Sequence, residues 1–243
     1  MKPRIAVSVA LSASLTTVIG LIPAQASSQP ELRSAIVFTS TRSNPDPDPV
    51  KQLHASDLYL MLTTLGGAPD PTQTFRLTQN ATAEGFAALS PDGKRIVFDS
   101  NRLTNPDKAN SSDLFVMSAE DIDQPVPDQE QKHLTRGSSA SWAPHGPRIA
   151  FHASQSGDGV PIKTYAGAET IDSDIFTMNV NDCLEVIELN HVNDCRDVSG
   201  PHVKNITNNG SLTIDDADWS PDGTRIVYVP HAPTAPPMLR CTC

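Results

Sequence analysis

Aromatic residues make up only 5% of this 243-residue chain, and beyond Ile22 it has no long apolar run. A membrane-spanning helix needs about 20 consecutive apolar residues, so none is expected after the N-terminal segment. Cysteine is scarce, at four residues, which excludes a dense disulfide scaffold. Positive charge is also short, with 18 Lys and Arg against 28 Asp and Glu and no basic cluster. That balance repels phosphate backbones and anionic lipid, so nucleic acid is excluded as a partner. The chain contains no Gly-x-Ser-x-Gly elbow, no His-Glu-x-x-His, no phosphate-binding loop and no Cys in a paired His context. Neither catalysis nor a cofactor or metal is therefore expected.

The N-terminus carries an export signal. Lys2 and Arg4 start it, Ile5 to Ile22 is uncharged and apolar with small residues, and Ala24-Gln25-Ala26 supplies the small-x-small pattern that signal peptidases cut after. Residues 1–26 are read as a signal peptide. Its removal leaves 16 basic against 28 acidic residues, a net charge of −12. Export to the periplasm or exterior places the cysteines where disulfides persist. Cys183 and Cys195 end two echoes of one tetrapeptide, Val-Asn-Asp-Cys, and are expected to pair. Closing a loop of that size contributes about 3 kcal/mol in the chain-entropy model. Cys241 and Cys243 fall in a tail, 230–243, read as irregular.

Internal repetition decides the architecture. Ala88-Leu89-Ser90-Pro91-Asp92-Gly93-Lys94-Arg95-Ile96-Val97-Phe98 recurs as Ser141-Trp142-Ala143-Pro144-His145-Gly146-Pro147-Arg148-Ile149-Ala150-Phe151 and as Asp218-Trp219-Ser220-Pro221-Asp222-Gly223-Thr224-Arg225-Ile226-Val227-Tyr228. Ile36-Val37-Phe38 matches the end of that unit. A second element follows as Asp57-Leu58-Tyr59, Asp113-Leu114-Phe115 and Asp174-Ile175-Phe176, and a third as Arg76-Leu77-Thr78, His133-Leu134-Thr135 and Asn205-Ile206-Thr207.

In Ser-Pro-Asp-Gly, proline presets φ, the polar side chains bond nearby backbone and glycine suits the last position, so the tetrapeptide reverses the chain between strands. Pro91, Asp92, Gly93, Pro144, Gly146, Pro221, Asp222 and Gly223 are accordingly structural. Trp142 and Trp219 precede the turns at matching places and are expected to pack between repeats. Asp57, Asp113 and Asp174 recur at strand starts and are expected to bond local backbone rather than a ligand. The short β-branched and aromatic runs between turns read as strands of an all-β chain.

The order W-S-P-D-G-x-x-I-x-F, D-[LI]-[YF]-x-M, x-L-T resembles the repeat of TolB-like β-propellers over residues 34–229. The resemblance implies four-stranded antiparallel blades packed face to face, with the strand before each Pro turn innermost. It implies a non-enzymatic interaction or ligand-binding module of the cell envelope whose partner is an unidentified envelope protein. Propellers of exported serine peptidases and glycan or small-molecule binders are the alternatives. The strands suffice for three to four blades. An incomplete ring is therefore expected, through truncation or through completion by a partner or a second copy across the open blade edges.

Longer connections decorate both faces. Ser43 to Ala55, Leu103 to Ser111 and residues 155–172 belong to one, and Asn181 to Val203 to the other. The acidic loop Asn44-Pro45-Asp46-Pro47-Asp48-Pro49 shares its face with Asp107, Asp158 and Asp172, without the spacing of a calcium loop. Edman sequencing of exported protein is expected to begin at Ser27; a chain beginning at Met1 removes the export reading.

Overall fold

A computed structural model describes residues 34–43, 56–63, 68–80, 82–103, 112–120, 125–154, 161–163, 169–171, 173–191, 193–208, 213–231 and 240–242. The signal peptide, the acidic loop 44–49, Asp107, Asp158, Asp172 and Cys243 lie outside them.

Among the described residues, sixteen strands follow the order of the repeat, with one additional hairpin in the third blade. A first sheet holds β1 (Ala35–Ser40), β2 (Asp57–Thr63) and β3 (Pro69–Arg76). The second is a complete blade of β4 (Glu84–Leu89), β5 (Arg95–Ser100), β6 (Asp113–Ser118) and β7 (Lys132–Arg136). The third begins with β8 (Ser138–Trp142) and β9 (Arg148–Ser154), passes through a small hairpin of β10 (Pro161–Lys163) and β11 (Glu169–Ile171), and continues with β12 (Ser173–Asn179). It then detours through two helices, α1 (Val180–Glu188) and α2 (Asn193–Arg196), before its outer strand β13 (Val203–Asn205). The fourth sheet is β14 (Thr213–Trp219), β15 (Ile226–His231) and β16 (Arg240–Thr242). Pairing is antiparallel throughout. The four sheets do not close into a ring.

The second and third sheets are buried on both faces by their neighbours, which explains their near-continuous apolar strands. In β5, Ile96 and Phe98 join Leu58, Leu60 and Leu77 of the first blade in one cluster, whereas Val97 joins Ile149 and Phe151 of the third in another. Strand β6 divides the same way, with Phe115 and Met117 in the first cluster and Leu114 and Val116 in the second. Period-2 alternation therefore sorts side chains between two apolar interfaces rather than between core and water. Each fully buried side chain contributes about 1.5–3 kcal/mol. Stacked rings repeat at the interfaces, Phe98 on Phe115 and Phe151 on Phe176, both with centroids 5.8 Å apart.

Two expectations need correction. The segment after Asn181 is helical. The Asn179 side chain caps α1 by accepting the Asn181 amide proton at 3.0 Å. Cys183 and Cys195 form a disulfide with Cα atoms 5.6 Å apart, and both belong with Val180 and Val198 to the core between the second and third blades. The insertion thus adds to the core instead of looping over a face. The tail 230–243 is not wholly irregular either. Pro230 and His231 extend β15, and Arg240–Thr242 pairs with it, Val227 opposite Cys241. The pairing bonds of β15 need a partner backbone and no particular side chains.

A single residue, Gly137, links the second blade to the third, at φ +147°. A Cβ there would sit 2.6 Å from Phe151 Cδ2 and 2.8 Å from the His152 carbonyl oxygen. Gly137→Ala is expected to destabilise the protein by about 1–3 kcal/mol. Gly85→Ala, with open space around it, should cost about 0.5 kcal/mol or less; urea unfolding of both variants checks the difference.

Candidate functional site: the inner rim of the blades

The Pro-Asp-Gly turns are held by their own side chains. The Ser90 hydroxyl donates to Asp92 Oδ1 at 2.6 Å and accepts the Arg95 amide proton at 2.9 Å. Gly93 closes the turn on the Ser90 carbonyl at φ +70°. Asp222 repeats the device at the fourth blade with Ser220 and Thr224, and those bonds hold its carboxyl at about 2. The third blade keeps Gly146 at φ +78° but has Ala143 and His145 in place of the serine and aspartate, so this side-chain network is missing. These residues form the loops at one end of the inner strands.

Asp57, Asp113 and Asp174, expected to bond local backbone, instead bond side chains across the sheet. Each carboxylate reaches the outer strand of its blade, where the residue before Leu-Thr or Ile-Thr answers it. Arg76 donates to Asp57 at 2.7 Å, His133 Nε2 lies 2.9 Å from Asp113, and Asn205 donates to Asp174 at 2.8 Å. The threonines of that triplet complete the link: Thr78 and Thr207 accept the amide protons of Leu58 and Ile175 at 2.9 and 3.0 Å.

The tryptophans tie one blade to the next. Trp142 Nε1 donates to the Ala88 carbonyl of the preceding blade at 3.0 Å, and Trp219 Nε1 to that of Ser141 at 3.3 Å. Arg95 and Arg148, each from the preceding blade, lie over these rings at 5.3 and 4.9 Å.

The inner strands β4, β8 and β14 lie side by side, and each carries a β-bulge at the same repeat position. The register breaks between Gly85 and Ala88, between Ser138 and Ser141, and between Asp215 and Asp218. At each break a non-glycine residue takes a left-handed backbone: Phe86 at φ 43°, Ser139 at 52° and Asp216 at 47°. Such conformations cost about 1–3 kcal/mol for a residue with a Cβ and persist where a site needs a side chain re-aimed. Phe86 is 65% exposed, the largest exposure among the large apolar side chains described, and Asp216 is exposed as well. The inner edge thus presents an aromatic ring, a hydroxyl and a carboxylate in succession. Sequence reasoning did not single these residues out; each stands four residues before a Ser-Pro or Ala-Pro pair, next to an alanine (Ala87, Ala140, Ala217).

Behind the bulge of the third blade lies Asp99, 4% exposed on β5. It accepts the Ser138 hydroxyl proton, and the Ser139 amide lies 3.1 and 3.3 Å from its two oxygens. Burial pushes this carboxyl up to about 7, against the opposing effect of the two serine bonds. Folding therefore takes up a proton here. The associated stability is fully present below the ordinary 3.8 and is lost as pH rises through about 7. On the neighbouring blade edge Glu84 is buried against Arg102 and Asn80 (2.6 Å), and burial raises its carboxyl too.

No family model and no curated protein matches the sequence. Among solved structures, TolB from Acinetobacter baumannii superposes with a TM-score of 0.50 at 14% identity, over 86% of this chain and 38% of that one. The fold is a TolB-like β-propeller. A protein assigned as TolB from Agrobacterium tumefaciens gives 0.45 at 20% identity, over 74% and 48% of the two chains, and prolyl oligopeptidase B from Galerina marginata 0.43 at 13%, over 76% and 25%. The chain thus spans less than half the length of these TolB-like and peptidase structures. Phe86→Gly in this TolB-like blade is expected to leave stability unchanged or raise it by up to about 1 kcal/mol, because it relieves a left-handed backbone at an exposed ring. Phe98→Ala, in the blade interface, should cost about 3–5 kcal/mol; denaturant midpoints distinguish the two.

Proposed function

We propose that this chain is an exported, non-enzymatic interaction module that holds a segment of an envelope protein against the inner rim at Phe86, Ser139 and Asp216. The observation that carries the reading is the bulge repeated in three successive blades, with non-glycine residues kept in a costly conformation at an exposed edge. The exposed Phe86 itself contributes little to the core, while the alanine after each bulge residue, Ala87, Ala140 and Ala217, packs into a blade interface. The chemistry of the rim suits a basic side chain, which a ring face attracts and a carboxylate pairs. Export is supported by the N-terminal segment and by the Cys183–Cys195 bond, which persists in oxidising compartments. The TolB-like fold supports an interaction role by analogy of architecture alone.

A photo-crosslinking residue at position 86 is expected to yield a discrete adduct in an envelope extract, weakened about tenfold by Asp216→Ala. The same probe at Asp92, in the turn at the other end of the inner strand, should yield none. Equal labelling at both positions, or turnover of a peptide or ester by the purified protein that a single Ser→Ala change abolishes, overturns the proposal.

A further inference from the structure

Asp99 crosses from the second blade to grip the bulge of the third, and its bonds end on the two residues that shape the rim there. The Ser138 hydroxyl donates to it, and the amide of Ser139, the left-handed residue, points at both carboxylate oxygens at 3.1 and 3.3 Å. With the side chain 4% exposed, solvent cannot substitute for these bonds. The charged and titratable groups on the elements packed against it are otherwise engaged. On β4 the Glu84 carboxylate is bonded by Arg102 and Asn80, and on β6 Asp113 meets His133. Strand β8 carries none, and Arg95 at the far end of β5 reaches Asn181. His152 of β9 lies opposite Ser138 in register and occupies the place in its own blade that Asp99 has in the second. Among the described residues, the effects acting on Asp99 are burial and the two serine bonds.

We infer that Asp99 is a proton-linked positioning residue for the rim, clamping the Ser138–Ser139 bulge as a carboxylate and releasing part of that clamp as an acid. This rests on the rim being the binding site. In the carboxylate form both serine groups donate to the negative charge, and charge-assisted bonds of this kind are about twice as strong as neutral ones. Taking a proton from solvent, the carboxyl turns donor toward Ser138 Oγ. The Ser138 hydroxyl proton must then leave Asp99, and the Ser139 amide is left with a neutral carbonyl acceptor. A left-handed serine held by a weaker bond is freer to relax toward the ordinary β region, which moves the rim beside Phe86. Acidification below neutrality thus loosens the site.

The test needs no ligand, so it reads the clamp whether or not the rim binds a partner. In two-dimensional amide NMR of the full mature protein, the Ser139 resonance is expected to titrate between pH 5 and 8.5 with a midpoint of about 7. Asp99→Asn should abolish that titration. Ser138→Ala keeps the carboxyl and removes a bond that favours its charged form, so the midpoint should move upward. A pH-independent Ser139 amide in the wild-type protein, a titration unchanged in Asp99→Asn, or a midpoint unmoved in Ser138→Ala each overturns the inference. Failure of the crosslinking at position 86 with a titrating Ser139 would instead remove the rim as the site and leave the clamp standing.

Discussion

Apolar packing of one sheet on the face of the next is the constraint from which the other features follow. Because β5 and β6 are sandwiched, their side chains have no solvent face to spare, and successive residues are apolar whichever way they point. A lone four-stranded sheet would expose both of these faces, so no blade is stable by itself. Stability is shared through interfaces, as in other repeat architectures. The disulfide-linked helices add Val180, Cys183, Cys195 and Val198 to one such interface.

Apolar faces alone would let blades slide. Directional bonds set the register between them: each tryptophan donates to a carbonyl of the preceding inner strand, an arginine of that preceding blade covers the ring, and Ser141 donates to Asp218 at 2.6 Å. Within a blade, the aspartate that opens the third strand locks the outer strand through whatever polar residue stands before its Leu-Thr or Ile-Thr. Arginine, histidine and asparagine all serve, because the carboxylate needs only a donor of the right reach. The position tolerates variation while the function of the bond stays constant.

Against this regular frame the inner-strand bulges stand apart. They break ladder bonds, place a Cβ in the left-handed region and expose Phe86, all costs to folding. Asp99 offsets part of that cost in the third blade by bonding the bulge from behind, and burial leaves its own charge weakly held.

The four-stranded blades, their order and the turns were legible in the sequence, since Ser-Pro-Asp-Gly and the Ile-Val-Phe run act over a few residues. The cysteine pairing was legible from an echoed tetrapeptide. Helix α1 was legible too, in the Asn179 cap and the spacing of Val180, Cys183, Leu184 and Ile187, but the cysteines drew the reading toward a loop. Strand β16 was not, because backbone pairing at a free edge leaves no side-chain pattern. The rim was least legible of all. Left-handed backbone at Phe86, Ser139 and Asp216 comes from bulges in the inner-strand pairing, and the grip of Asp99 on Ser139 arises only where two blades meet. The sequence by itself determined the repeating unit, because strands and turns are local; only the tertiary structure decided which carboxylate faces which amide across a blade boundary, because that depends on residues far apart in the chain.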